Sequence, residues 1–269
     1  MKLLVDGREA YAYTGGKPFD PALPCVVFIH GAVNDHCVWT LLARWFAHHG
    51  HAVLAVDLPG HKRSAGPALS SVETLADWVL ALMTAAGVER AALVGHSLGS
   101  LIALEAAARA PDRATHLAML GTCVPMPVPQ ALLDLSLTDV AAAIDRVVMF
   151  SFSSLAAKPS YPGPGVWLRG AARRLMHLVM QAQGDPLLFH TDYSACHSYQ
   201  GGLTSAQGVR CPASLVLAQE DQMTLPKAAR EVATRLKASV HTVPGGHFLM
   251  QESPDPVLTA LRQSLGATT

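Results

Sequence analysis

A serine flanked by glycines is the clearest candidate for chemistry in the chain, in the G-x-S-x-G motif GHSLG at 95–99. The motif directly follows the apolar run 91–94 and opens a helical pattern over 98–110. Glycines allow a sharp turn from a strand into a helix, which projects the serine toward the free N–H groups of the helix. Ser97 is therefore the candidate nucleophile for attack on a carbonyl carbon.

A serine hydroxyl needs a general base, and the base needs an acid that orients it. His247, the last histidine of the chain, follows the apolar run 240–243 and a pair of glycines. Asp221 lies just beyond the run 215–217, at the expected carboxyl end of a strand, and the adjacent Glu220 is the alternative acid. The order serine, acid, histidine along the chain is one of the known orders for such a triad.

The negative charge that develops on a carbonyl oxygen requires N–H donors. The backbone N–H of Leu98, just after the nucleophile, is the first candidate. The second is expected in the loop after the run 26–29, at Ala32. His30 comes too early for the triad order and is interpreted as a hydrogen-bonding residue of this loop. His96 is interpreted either as a packing residue at the strand end or as a substrate contact.

These candidates depend on a framework in which short apolar runs alternate with helical patterns. The runs predict strands at 26–29, 52–56, 91–94, 117–120, 215–217 and 240–243, and the first fifteen residues predict a hairpin. Helices are predicted at 39–49, 70–86, 98–110, 226–237 and 254–265, the second with Ser70 and Glu73 as a capping box. This alternation predicts an α/β fold with a doubly wound, mostly parallel sheet.

The alternation stops after the run 117–120, which is the sixth predicted strand when the two strands of the hairpin are counted. Three prolines lie between positions 123 and 129, and helical spacing follows at 138–157 and 166–182. We expect a core formed by 1–121 and 205–269, with 122–204 inserted as a helical lid over the site.

The composition excludes several classes of protein. The 269 residues contain 20 Lys and Arg and 20 Asp and Glu, so no net charge favours nucleic acid. The chain has no apolar run of 18 residues, and Asp6 interrupts the first run too early for a secretory signal. The five cysteines lack zinc-ligand spacing, and no cluster of His, Cys and Asp outside the catalytic set has ligand spacing. We expect a cytoplasmic protein without a metal or an organic cofactor.

Five stretches resemble the lid-bearing serine esterases of the α/β-hydrolase fold family, which include carboxylesterases, the pimeloyl-acyl-carrier-protein methyl ester esterase and meta-cleavage C–C hydrolases. They are HGAVNDHCVW at 30–39, VDLPGHKRS at 56–64, GHSLGS at 95–100, AQEDQMTLP at 218–226 and GGHFLMQESP at 245–254. The resemblance implies a triad of Ser97, Asp221 and His247 and an oxyanion hole of Ala32 and Leu98. It also implies that Trp39 supports the wall of the pocket.

Two residues depart from the pattern of this family. Lys62 and Ala218 stand where relatives usually carry glycine, and Lys62 is strained if its site requires a positive φ. A serine at the elbow also argues against the epoxide hydrolases and haloalkane dehalogenases of this fold, which use an aspartate there.

We therefore predict hydrolysis of a small to medium, largely apolar carboxylic ester through an acyl-enzyme. The alternatives are C–C bond hydrolysis of a vinylogous diketone and a non-catalytic receptor or scaffold that keeps the fold. The predicted substrate contacts are Trp39, Phe150, Trp167 and Met223.

A cluster of basic residues raises the question of a partner. Arg169, Arg173 and Arg174 share one predicted helix, where an acidic carrier protein would find complementary charge. An ordinary solvated helix face is the simpler interpretation.

Overall fold

Eight strands run through residues 1–267, the part of the chain that the computed structural model describes. They are β1 (Lys2–Val5), β2 (Arg8–Tyr13), β3 (Cys25–Ile29), β4 (Ala52–Val56), β5 (Ala91–His96), β6 (Ala114–Leu120), β7 (Ala213–Ala218) and β8 (Ser239–Val243). They form one sheet in the order β1-β2-β4-β3-β5-β6-β7-β8. β2 pairs antiparallel with β1 and β4, and all other neighbours are parallel. The predicted hairpin and mostly parallel sheet are confirmed.

The α-helices fall between the strands and in one long connection. They are α1 (Thr40–His48), α2 (Val72–Ala85), α3 (Leu98–Arg109), α4 (Gln130–Thr138), α5 (Val140–Phe150), α6 (Leu168–Gln183), α7 (Leu188–Ser198), α8 (Gly202–Gly208), α9 (Arg230–Leu236), α10 (Leu249–Glu252) and α11 (Pro254–Leu265). Short 3₁₀ helices, His36–Trp39 and Pro226–Ala229, precede α1 and α9. No helix within residues 1–267 has both the length and the apolar character needed to cross a bilayer.

The inner strands β3, β4, β5 and β7 are buried at every residue, so the middle of the sheet is buried on both faces. Side chains of β3 alternate, so that Val27 and Ile29 join a core with α2 and α3, whereas Val26 and Phe28 join a core with α1 and α11. Continuous apolar strands are needed for this arrangement because neither face contacts water. The structure is the predicted doubly wound α/β fold, with the carboxyl ends of the parallel strands along one edge.

The start of α2 differs from its prediction by one residue. Ser71, not Ser70, caps the helix, with φ −140° and ψ 150°, and its hydroxyl oxygen accepts the N–H of Thr74 at 3.2 Å. Both serines satisfy the sequence preference for a cap, and the backbone at Ser71 has the extended conformation that a cap requires.

The long connection between β6 and β7 is helical, as predicted. α5 and α6 correspond to the expected helices, whereas α4 and α7 were not predicted. α8 packs on α3 and α9 of the core layer, and the boundary at residue 204 stays a prediction. We refer to residues 122–201 as the inserted segment.

Candidate active site

Ser97 sits on a strained turn between β5 and α3. Its φ of +52° and ψ of −122° lie in a region that residues with a side chain seldom adopt. A Cβ on Gly95 would overlap the carbonyl of Gly99, and a Cβ on Gly99 would overlap the carbonyl of Ile29. The two glycines of the motif are therefore required because backbone passes against backbone on both sides of the serine.

His247 and Asp221 are joined by a hydrogen bond at the neighbouring strand ends. Nδ1 of His247 lies 2.9 Å from Oδ2 of Asp221, and both residues are buried. A carboxylate only accepts, so Nδ1 carries the hydrogen and Nε2 is left as an acceptor. His247 and Ser97 line the same cavity, which brings the candidate base and the candidate nucleophile together.

The carboxylate of Asp221 has further donors. Oδ1 accepts the N–H groups of Met223 and Thr224, both at 2.8 Å, and Oδ2 accepts the Thr224 hydroxyl at 2.7 Å. Burial alone raises the pKa of Asp221, but His247 and the hydrogen bonds hold it below its ordinary value. Glu220, the alternative acid, instead reaches Ser154 at 3.3–3.4 Å. Of the two carboxylates, Asp221 is the one placed against the histidine.

The loop after β3 lies against the nucleophile. A Cβ on Gly31 would come within 3.0 Å of the Ser97 Cβ, and Ala32 lines a small cavity beside Ser97. Leu98 begins α3, and its N–H belongs to the first turn, where backbone N–H groups have no partner within the helix. The two predicted oxyanion donors thus belong to backbone that flanks Ser97 on both sides.

Two buried histidines hold the surrounding loops. His30 accepts the N–H of Leu58 at Nε2, 3.0 Å away, as expected for a loop-organising residue. Burial and the nearby His61 lower the pKa of His30 to about 4. His96 donates from Nε2 to the carbonyl of His247 at 2.9 Å, and burial lowers its pKa to about 3. Both are neutral near pH 7, and His96 supports the backbone of the candidate base.

A cavity of about 440 Å³ opens at Ser97 and His247. Most of its wall comes from apolar side chains of the inserted segment, including Met126, Val128, Leu132, Val147 and Phe150. Met223 closes the side next to Asp221. Such a wall suits an apolar substrate.

A wider cleft of about 920 Å³ lies at the opposite edge of the sheet, near Cys25 and Ala92. That edge holds the amino ends of β3 and β5, and none of the catalytic candidates lines it. Sites in parallel sheets collect at the carboxyl ends of strands, so the smaller cavity is the candidate site.

Of the four predicted substrate contacts, Phe150 and Met223 line the cavity and the two tryptophans do not. Trp39 is fully buried, with its ring centroid 5.1 Å from that of Phe28, because it packs into the core between the sheet and α1. Trp167 is half exposed and its ring covers Gly170 at the start of α6. The placement of both rings thus departs from the prediction of substrate contacts.

The inserted segment is joined to the loop of His247 by a half-buried carboxylate, that of Glu252. Oε1 of Glu252 accepts the N–H of Gly246 at 3.0 Å, and Oε2 accepts the hydroxyl of Ser153 at 2.6 Å. Phe248 donates its N–H to the carbonyl of Ser151 at 3.0 Å. A Cβ on Gly246 would meet the backbone of residues 151–153, so the two segments are in direct contact.

One group of residues with metal-binding side chains does exist among the described residues, contrary to expectation. Ligand-type atoms of Asp35, His36 and Cys37 lie within 4.8 Å of one another. Nδ1 of His36 is hydrogen bonded to Asp57 at 2.7 Å, and the Lys62 ammonium lies 3.9 Å from Asp35. Burial raises the pKa of the Cys37 thiol to about 12, which disfavours the thiolate that a metal needs. We therefore assign this group to the loop's own contacts.

Lys62 adopts φ +45°, the strained conformation expected if this position required a positive φ.

Two of the three basic residues of α6 already contact other groups of this chain. Arg169 donates to the carbonyl of Met149 at 2.8 Å, and Arg173 pairs with Asp145 at 2.6 Å. Docking of an acidic carrier at this helix stays a prediction.

Several residues of the site were not predicted. Thr224 follows Asp221 by three positions, and an aspartate side chain commonly accepts hydrogen bonds from residues two or three positions further on in a turn. This spacing was the available signal for Thr224. Arg146 and Cys196 line the cavity from helices of the inserted segment, where no local motif identifies them.

Comparison with known proteins places this geometry in a family. The family model described as alpha/beta hydrolase fold matches residues 24–254. The putative carbamate hydrolase RutD of Klebsiella pneumoniae is 26% identical over 265 residues, which cover 92% of this chain and 93% of that protein. A dihydrolipoyllysine-residue acetyltransferase component of the acetoin cleaving system, from Cupriavidus necator, is 36% identical over 119 residues. That match covers 43% of this chain and 30% of that protein, so the chain spans less than a third of this relative's length.

Among solved structures, the enol-lactonase of Burkholderia xenovorans LB400 superposes with a TM-score of 0.84. It is 20% identical, with 99% of this chain and all of that chain covered. At this identity the likeness concerns the fold, and it extends over the inserted segment as well as the sheet. With the family model matched over most of its length, the chain belongs to the α/β-hydrolase fold family of hydrolases.

Proposed function

We propose that the chain hydrolyses carboxylic esters of small to medium, largely apolar substrates through an acyl-enzyme on Ser97. The observation that carries this proposal is the 2.9 Å hydrogen bond between His247 and Asp221 in a cavity that also presents Ser97. Membership of a hydrolase family supports the reaction class.

In the first half of the reaction, Ser97 Oγ attacks the ester carbonyl and Nε2 of His247 takes its proton. Asp221 keeps the imidazole oriented and stabilises the imidazolium. The N–H groups of Ala32 and Leu98 hold the oxyanion. When the tetrahedral intermediate collapses, the C–O bond to the alcohol breaks and the alcohol leaves with the proton from His247.

In the second half, a water molecule gives a proton to His247 and its oxygen attacks the acyl carbon. The second tetrahedral intermediate releases the carboxylic acid, and Ser97 regains its proton from His247. The hydrogen bonds that Met223 and Thr224 donate to Asp221 support both halves. They hold the carboxylate in place, so that it keeps accepting the Nδ1 hydrogen of His247 while Nε2 takes up and returns the proton.

The inserted segment would serve as the lid and acyl pocket. Its apolar residues form most of the cavity wall, and Phe150 and Met223 are the proposed acyl contacts. We further propose a cytoplasmic location, which the free thiols of all five cysteines suit.

The same triad serves C–C bond hydrolysis, and the name of the enol-lactonase points to cyclic esters as substrates of that protein. A panel of p-nitrophenyl esters of increasing acyl length, a lactone and a ring-fission dienoate would separate these substrate classes. If the protein hydrolyses the dienoate but none of the esters, C–C bond hydrolysis replaces ester hydrolysis as the proposed function.

Ser97→Ala tests the nucleophile. We expect loss of turnover on the order of 10⁴-fold or more, loss of fluorophosphonate labelling and retention of substrate binding. Ser154→Ala, at an exposed serine that contacts Glu220, is the matched control and should keep native activity. Native turnover in Ser97→Ala would refute the mechanism, and failure of the native protein to be labelled would favour a receptor or scaffold.

A further inference from the structure

The oxyanion loop contains a strained residue that something must hold. Val33, directly after Ala32, is fully buried and has φ +53°. A β-branched residue in the left-handed region is a true outlier, and it persists only where the surroundings enforce it. The conformation of the adjacent Ala32 therefore depends on the groups that bind the backbone of Val33.

The enforcing contact comes from the inserted segment. The N–H of Val33 donates to Oδ2 of Asp192 at 2.8 Å, across 159 positions of the chain. Asp192 lies on α7 and is 1% exposed. On the other side of the loop, the Asn34 side chain donates to the carbonyl of Ala32 at 2.9 Å. The backbone around Ala32 is thus tied at both ends, and one tie belongs to α7.

The same carboxylate oxygen binds a buried histidine. Nε2 of His61 lies 2.9 Å from Oδ2 of Asp192, and Nδ1 of His61 lies 3.1 Å from the carbonyl of Pro59. Both partners are acceptors only, so both ring nitrogens must carry a hydrogen. These contacts require the imidazolium form of His61, which balances the charge of Asp192.

The other groups around this pair agree with that charge state. Burial lowers the pKa of His61, but Asp192, and more weakly Asp57, bring it above the ordinary value. His30, whose ring lies 4.9 Å away, is neutral because it accepts a hydrogen bond from Leu58. Burial raises the pKa of Tyr193 on α7, so it stays uncharged beside Asp192.

We propose that Asp192 is a positioning residue for the oxyanion loop, holding the Val33 N–H from the inserted segment while a His61 imidazolium balances its charge. The inference rests on the proposed function, because it concerns the loop that would hold the oxyanion. An oxyanion donor acts mainly in the transition state. Disturbing its support should therefore lower kcat and leave KM nearly unchanged.

The test compares Asp192→Asn and Asp192→Ala with Asp134→Asn. Asp134 is an exposed aspartate on α4 whose carboxylate, within the described chain, accepts a hydrogen bond only from Gln130. For a p-nitrophenyl ester we expect kcat to fall about 100-fold in Asp192→Ala, the lower range for a lost oxyanion donor, and less in Asp192→Asn. The affinity for a boronic acid, which forms a tetrahedral adduct on the serine, should fall in proportion to kcat/KM. Asp134→Asn should match the native protein.

Thermal unfolding identifies any variant that fails to fold, and Asp192→Asn, which keeps the shape of the side chain, carries the test if Asp192→Ala does not fold. Native kcat and boronate affinity in a folded Asp192 variant would overturn the proposal, as would a rise in KM with unchanged kcat. Measurements on the native protein show whether such a failure concerns Asp192 alone or the proposed function as well. If fluorophosphonate labels Ser97 and esters turn over, only the role of Asp192 has failed.

Discussion

The two walls of the cavity are built by different means. The core side consists of short loops at strand ends, where buried polar groups such as Asp221 and His247 are tied by several hydrogen bonds each. The side formed by the inserted segment is mainly apolar, and Phe150 on that side is 43% exposed. The contrast suggests that bond cleavage depends on fixed geometry in the core, while choice of substrate depends on replaceable packing in the insertion.

The largest effect is expected on the core side, from Asp221→Asn. Without the carboxylate, His247 loses the partner that sets its tautomer and stabilises its charged form, and kcat should fall by about 10⁴-fold. Steady-state kinetics on a short ester would measure it. Glu220→Gln is the matched control, since Glu220 contacts Ser154 and not the histidine. A larger loss in Glu220→Gln than in Asp221→Asn would contradict the assignment of the acid.

A smaller and selective effect is expected on the other wall, from Phe150→Ala. Removing an apolar contact from the cavity should lower kcat/KM for long acyl esters about tenfold and leave acetate esters unchanged. Trp167→Ala, the same kind of truncation at a half-exposed ring outside the cavity, should change neither. An equal loss for short and long esters in Phe150→Ala would show that the two walls do not divide their tasks.

The ion pair between His61 and Asp192 joins the two walls and gives a prediction in pH. The pKa of His61 is higher in the folded chain than its ordinary value, so its stabilisation is complete below about pH 6.5. That stabilisation is lost as the pH rises through the folded pKa. The difference in free energy of unfolding between the native protein and His61→Gln, measured in urea, should therefore narrow toward alkaline pH. A difference that widens would mean that His61 is neutral.

The smallest effect concerns Arg146, an exposed cation among the residues that line the cavity. An anionic substrate group would be attracted there, with the modest strength of an exposed ion pair. Arg146→Gln should raise KM for a monoester of a dicarboxylic acid about two- to fivefold, and leave KM for the neutral diester unchanged. Arg174→Gln, at an exposed residue of α6 outside the cavity lining, serves as control. An equal change in KM for the monoester and the diester would exclude an effect of the Arg146 charge.

The core side could be predicted because its constraints are local. Gly95 and Gly99 are required by backbone contacts within the motif and against β3. The motif, with the apolar run before it and the helical pattern after it, was therefore enough to predict the turn at Ser97. His247 and Asp221 each follow a recognisable apolar strand, and parallel strands bring their carboxyl ends to one edge. The predicted cap of α2 was wrong by one residue, because Ser70 and Ser71 are the same residue type and the sequence does not distinguish them.

The inserted segment could be predicted only as helical. Trp167 was expected at the substrate because it is large and apolar, but packing over Gly170 satisfies the same property. Trp39, outside this segment, was expected at the pocket from the family resemblance, and it instead packs against Phe28. The role we propose for Asp192 has no local signal, since its contact to Val33 depends on how α7 packs on the core. Contacts over such separations follow from tertiary packing, which single-residue patterns do not contain.

The contacts of Glu252 with the inserted segment have a consequence for recombination between relatives. Residues 151–153 are joined to the loop of His247, and α7 is joined to the loop of Val33, so both stretches behave as parts of the core. A chimera that exchanges everything between β6 and β7 would break both junctions. An exchange confined to residues 155–187, which contain α6, would leave them intact. None of the residues that line the cavity at Ser97 lies within 155–187, so an exchange that alters the cavity wall must also cover the stretches next to these junctions.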